Sequence, residues 1–287
     1  MDQRLIDLYD EFMHVHFDRR LFLERAARLV GGAGAAAALL PLLQSNYAQA
    51  AVVAESDPRL AVDRLSFPGA TGEVKAYLAK PKTEGKRGGV VVIHQNRGLN
   101  PHIEDVARRL AAESYVALAV DFLSPLGGTP KDEDQAMKMF GDLDSEKTTA
   151  NASAAAAWLR ARPEVNGRTG AVGFCWGGGL VNQLAVADPA LNAGVAYYGM
   201  PPDPAAVPRI KATLLLNYAD GSLDTRIGSQ VPAYEAALKA AHVKYSLYFY
   251  DGANHAFNDD TQTARYNAAA AKLAWERTLA LFKETLV

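Results

Sequence analysis

The sequence predicts an α/β fold: a mostly parallel β-sheet with helices on both faces and an antiparallel hairpin at its start. Three observations carry this prediction. From residue 57 onward, short β-branched or apolar runs alternate with alanine-rich segments of helical character, as in consecutive βαβ units. Several runs, such as Gly89-Val90-Val91-Val92-Ile93, are apolar without alternation, as strands buried on both faces are. Gly173-Phe174-Cys175-Trp176-Gly177 lies between one such run and an apolar stretch, so strand, sharp turn and helix follow in order with a cysteine at the apex.

Size and composition bound the rest. The chain has 287 residues, 49% hydrophobic and 22% charged, enough for a large core in one or two domains. It divides into an N-terminal helical segment over 1–56, read as an export leader, and an α/β domain over 57–287. A net charge of −2 without a long basic run argues against nucleic acid as a partner. The single cysteine excludes an intrachain disulfide, and no histidine spacing suits a metal, so no metal is expected. His14-x-His16 has no third ligand nearby and reads as surface.

Taken in order, the first 18 residues carry Leu5, Ile6, Leu8, Tyr9, Phe12 and Met13 at helical spacing. Asp18-Arg19-Arg20-Leu21-Phe22-Leu23 then resembles a twin-arginine export signal, with Asp18 where Ser or Thr is usual. An alanine- and glycine-rich stretch over 29–43 follows, and Ala48-Gln49-Ala50 has the small-x-small pattern of a cleavage site. That stretch, about 15 residues broken by glycines and Pro41, is too short for a lasting membrane span. Export to the periplasm is the expectation. The alternative is an N-terminal helix that packs on the body of the protein or on a partner.

In the body, 62–67 and 74–79 alternate around Gly69-Ala70-Thr71-Gly72 and predict the hairpin. Further strands are predicted over 89–94, 115–122, 168–175, 193–199, 212–219 and 243–250. Helices are predicted over 102–113, 131–143, 145–162, 229–241 and 263–282. Pro163 stops the third of these.

Gly-x-nucleophile-x-Gly is the nucleophile elbow, with Cys175 where a serine more often stands. Glycines on either side let the strand and helix pass closely. Unpaired N–H groups and the dipole at the helix N-terminus favour a thiolate and, later, an oxyanion. A plainer reading is a buried structural cysteine. A dinucleotide loop is another rival, but Gly173-x-Cys175-x-x-Gly178 lacks the middle glycine of that motif. Partners downstream decide between them. In such sheets the acid and the base follow the nucleophile on loops after later strands. His255, in the loop after 243–250, is the expected base that takes the proton from Cys175, and Asp224, after 212–219, is the expected acid that fixes the imidazole tautomer. Asp220 is a rival for the acid; Asp224 is preferred because Ile227 can anchor its loop to the core.

Gly-Phe-Cys-Trp-Gly-Gly, the Asp-x-x-Ile loop and Gly-Ala-x-His-x-Phe together resemble the dienelactone hydrolase family of the α/β-hydrolase fold, over roughly 62–287. The resemblance implies an esterase or lactonase with a Cys-His-Asp triad and no cofactor. It also implies an oxyanion hole made by the backbone N–H groups of Trp176 and Asn96. Many members place a glutamate against the resting thiol; the matching position is Gln95, whose amide can hydrogen-bond the sulfur but cannot take its proton. Members that cleave dienelactone hold the substrate carboxylate with two arginines, and the matching positions are Pro125 and Asp259, neither basic. Arg97 lies close by as a substitute, against the plainer reading of a solvated loop arginine.

The expected function is therefore a cysteine-dependent hydrolase of a small ester or lactone, acting through a thioester acyl-enzyme. Alternatives are a thioester or halogenated acid as substrate, a non-catalytic binding protein of the same fold, and a redox-sensing cysteine. The partner implied is a small-molecule ester or lactone, with a homodimer left open.

Overall fold

The computed structural model describes residues 2–15, 19–43, 46–47 and 51–287. Eight strands form one sheet. β1 (Leu60–Gly69) and β2 (Gly72–Pro81) make the expected antiparallel hairpin, with Phe67 opposite Val74. β2 also runs antiparallel to β4 (Val116–Val120). β3 (Arg87–Ile93) pairs in parallel with β4 and with β5 (Val165–Phe174). β6 (Ala193–Tyr197), β7 (Thr213–Ala219) and β8 (Tyr245–Tyr250) extend the parallel part, giving the order β1-β2-β4-β3-β5-β6-β7-β8.

The absence of polar alternation in the central strands is explained by two buried faces. Successive side chains of a strand point to opposite sides. Val91 and Ile93 pack in one core with α6 (Ser145–Arg160), α7 (Trp176–Ala187) and α9 (Val231–Ala240). Val90 and Val92 pack in the other with α4 (Pro101–Ala112) and α10 (Ala268–Leu286). Two short helices, α5 (Glu133–Met139) and α8 (Thr225–Gly228), complete the body.

Three segments differ from the sequence-based expectation, each because a local cap or turn takes over from apolar periodicity. The helix expected over 131–143 starts at Glu133, where Asp132 accepts from Gln135 N, and turns into a 3-10 segment at Phe140–Asp142. The helix expected over 229–241 starts two residues later, at Val231 with Pro232 in its first turn, and a separate short helix over Thr225–Gly228 precedes it. The terminal helix begins at Ala268 rather than at 263. Asn267 caps it by accepting from Ala270 N, while its own N–H donates to Phe257 O and folds 257–267 into a loop.

The N-terminal segment forms α1 (Gln3–Val15), α2 (Arg19–Val30) and α3 (Ala33–Leu43). Leu5, Leu8, Tyr9, Met13, Phe22 and Ala26 bury one another, with Met137 of the body at the edge of the cluster. α1 and α2 contact the body, Met13 O accepting from Asn96 Nδ2 and Arg19 Nη1 donating to Asp134 Oδ2. Asp18, His16, the His14 side chain and the 48–50 pattern lie outside the described residues. No helix among the described residues is long and apolar enough to cross a membrane.

Candidate active site

The site is built at the carboxyl ends of the parallel strands, where open α/β sheets collect their functional loops. β5 ends at Phe174 and α7 begins at Trp176, which leaves Cys175 alone in the turn with φ 55° and ψ −115°. A side chain held there costs on the order of 1–3 kcal/mol, so surrounding contacts must impose it. Cys175 N–H donates to Tyr197 O at 3.0 Å, and its carbonyl accepts from Gly179 N at 3.1 Å. The two elbow glycines are required by space. A Cβ on Gly173 would stand 2.5 Å from the Gly177 carbonyl carbon, and one on Gly177 would stand 2.5 Å from Ile93 O. Trp176, next to the cysteine, is clamped by aromatic rings. It stacks on His94 at 5.5 Å and meets Phe140 and Phe122 edge-on at 4.7 and 5.8 Å.

His255 and Asp224 come together as the chain order suggested. The His255 Nδ1 to Asp224 Oδ2 distance is 2.7 Å, with both residues buried. Asp224 also caps α8 by accepting from Ile227 N at 3.4 Å, and Ile227 is buried in the core. Burial alone would lower the His255 pKa, but the charges of Asp224, Cys175 and Asp10 overcome this and raise it to about 10. Burial likewise opposes ionisation of Asp224, yet the His255 ring holds its pKa below the ordinary carboxylate value. Asp220, the rival acid, is spent locally. Its Oδ1 accepts from Ser222 and its Oδ2 from Gly252 N, which ties two loops together.

Cys175, Trp176 and Asn96 line one cavity of about 360 Å³, together with Met13, Phe140, Tyr198, Met200 and Arg226. The lining is largely apolar, and Arg226 is its single cation among the described residues. Asn96 is buried, and its Nδ2 donates to Met13 O at 2.7 Å. Gln95, expected beside the thiol, commits its amide nitrogen to Asp259 Oδ2 at 3.1 Å. Arg97 departs from the solvated side chain expected for it. It is 3% exposed, 3.3 Å from Glu133 Oε2, and donates to Tyr9 OH at 2.8 Å. It lines a neighbouring cavity with these two partners, both supplied by elements remote in sequence.

Tyr198, Arg226 and Met13 are among the lining residues that the sequence did not single out. Tyr198 directly follows β6, is fully buried, and holds its ring 4.9 Å from that of His255. Its place at a strand end was the available signal. Arg226 had a similar signal, two residues beyond Asp224. Met13, from α1, had none.

One group among the described residues has a donor set suited to a cation: His102, Asp259 and Asp260. The carboxylates stand against the two ring nitrogens instead, Asp260 Oδ1 at 3.1 Å from Nδ1 and Asp259 Oδ1 at 3.8 Å from Nε2. Burial opposes a charge on His102, but both carboxylates raise its pKa. Arg109 adds a further positive charge at 2.7 Å from Asp260 Oδ2. The two carboxylates thus favour the protonated ring of His102.

The dienelactone hydrolase family matches this chain over residues 74–286. A "Putative carboxymethylenebutenolidase" of Escherichia coli is 32% identical over 263 residues, covering 84% of this chain and 96% of its own. A "Probable 2-oxo-3-(5-oxofuran-2-ylidene)propanoate lactonase" of Bradyrhizobium is 33% identical over 226 residues, covering 74% of this chain and 90% of its own. The crystal structure of a "Putative Dienelactone Hydrolase" from Klebsiella pneumoniae superposes with a TM-score of 0.70 at 29% identity, covering 78% of this chain and 99% of its own. With this sheet order, this elbow and a family match over most of its length, the chain belongs to the dienelactone hydrolase family and is an α/β-hydrolase acting on ester or lactone bonds.

Proposed function

We propose that hydrolysis runs through Cys175 as nucleophile, His255 as base and acid, and Asp224 as the group that orients His255. The observation that carries this reading is the combination of a strained Cys175 in an apolar cavity and a His255–Asp224 pair closed at 2.7 Å. Asp224 engages Nδ1, so proton exchange with the thiol runs through Nε2. The Cys175 sulfur attacks the ester carbonyl carbon and forms an S–C bond. Backbone N–H groups of Trp176 and Asn96 stabilise the resulting oxyanion. Collapse breaks the C–O bond, and His255 protonates the leaving alkoxide. Water, deprotonated by His255, then adds to the thioester, and the S–C bond breaks to release the acid.

The substrate is a small ester or lactone, a reading supported by the cavity's size and apolar lining. Gln95 takes no proton in this scheme. The protonated His255 ring, oriented by Asp224, and the N-terminus of α7 stabilise the thiolate. Export through Arg19-Arg20 and the Phe22-Leu23 that follows is also proposed, with α1 retained on the folded chain; fractionation of cells producing the full chain, with intact-mass measurement of the recovered protein, tests both.

The deciding experiment is intact-mass spectrometry after rapid mixing with p-nitrophenyl acetate. An acetyl adduct that maps to Cys175 and is lost in Cys175→Ala is the expected result. Undiminished ester turnover by Cys175→Ala would refute the mechanism.

A further inference from the structure

The α/β body does not make the catalytic cavity alone. Met13, from α1, lines it together with Cys175 and Trp176 of the elbow. The residue is buried and held at both ends. Its carbonyl accepts from Asn96 Nδ2 at 2.7 Å, and its sulfur lies 3.7 Å from Arg97 Nη2. The helix that carries it is fastened beside the catalytic loop. Gln3 Nε2 donates to Asn254 Oδ1 at 2.6 Å, one residue before His255, and Asp10 pairs with Arg265 at 3.2 Å. Tyr9 receives the Arg97 guanidinium.

These ties are polar, whereas the apolar side of α1 packs mainly on Phe22 and Ala26 of α2, with Met137 of the body at the edge. The helix also lies outside the residues that match the family. A wall so attached is an addition to the body, and it touches the very cavity where the ester would sit.

We propose that Met13 is a specificity-determining residue of this hydrolase: docked with α1, it closes one side of the Cys175 cavity and limits the size of the ester group admitted. The inference rests on the hydrolase reading above. Methionine is unbranched and apolar, so it shapes a pocket by volume without adding a charge or a strong hydrogen-bond donor. In apolar pockets each methylene of fit changes discrimination by about tenfold or more.

The test uses the full chain with Met13→Ala and Met13→Trp, assayed on p-nitrophenyl esters from acetate to octanoate. Met13→Ala is expected to raise kcat/KM for octanoate over acetate by about tenfold, and Met13→Trp to lower it by a similar factor. The same proteins are labelled at Cys175, the sole cysteine, with iodoacetamide and with a pyrene maleimide. The bulky reagent is expected to gain on the small one in Met13→Ala and to lose in Met13→Trp. Should Met13→Ala undock α1, the Trp variant still reads the wall in the opposite sense. Unchanged ester selectivity and an unchanged labelling ratio in both variants would overturn the proposal. A shifted labelling ratio with no ester cleaved by any of the proteins would keep the wall and refute the hydrolase mechanism instead.

Discussion

The Gln95 amide donates to Asp259 Oδ2 at 3.1 Å, across 164 residues of sequence. At these positions the family resemblance leads one to expect Glu at 95 and Arg at 259. In this chain the two positions hold a neutral donor and a carboxylate that fit each other. Asp259 is buried, and although burial opposes its ionisation, His102, Thr261 and Arg97 keep its pKa below the ordinary value.

Gln95→Glu therefore places two buried carboxylates against each other. Unfolding by urea is expected to show a loss of about 2 kcal/mol at neutral pH. The deficit shrinks as the pH falls and one carboxyl takes a proton. Asp259→Asn in the same chain recovers part of it, a coupling that a double-mutant cycle measures. Ester turnover does not rise in Gln95→Glu.

Alkylation of Cys175 is expected to be rapid at pH 6–7, well below the range near 8.5 in which an isolated thiol ionises. His255→Ala removes the partner that stabilises the thiolate and shifts this reactivity to higher pH. Hydrolysis falls by about a thousandfold or more in the same variant. Iodoacetamide labelling across pH, read on the single cysteine, checks both.

His255 also links stability to pH. Its folded-state pKa of about 10 lies above the value of about 6.5 for an unfolded histidine. The bound proton therefore stabilises the fold fully below about pH 6.5, and that contribution is lost as pH rises through 10. Asp224→Asn removes a main cause of the raised pKa. Urea midpoints measured from pH 6 to pH 10 are expected to fall in the wild type and to fall less in the variant.

Arg226 is the one cation among the described residues that lines the cavity, and its Nη1 lies 3.8 Å from the Met200 sulfur. Esters whose acid carries a carboxylate gain a partner there that a neutral ester does not. Arg226→Ala is expected to raise KM for such anionic esters by about tenfold while leaving that for neutral esters unchanged.

Elbow geometry depends on the missing side chain at Gly177. Gly177→Ala sets a Cβ against Ile93 O and is expected to cost about 1–3 kcal/mol. The displaced Cys175 loses hydrolysis even where the protein remains folded, as circular dichroism and ester assay together report.

Local pattern determined much of this protein from sequence alone. Apolar runs marked strands buried on both faces because neighbouring side chains alternate between the two cores. Gly173, Cys175 and Gly177 marked the elbow because only that spacing permits the crossing of β5 and α7. His255 and Asp224 were legible because each follows a strand whose end faces the site, so 31 residues of separation close to 2.7 Å. Tertiary structure alone decided the rest. The partner of Gln95, the burial of Arg97 against Glu133 and Tyr9, and the place of Met13 in the cavity join residues with no shared local pattern. Such contacts depend on where whole elements dock, and side-chain periodicity within one element holds no record of its distant neighbours.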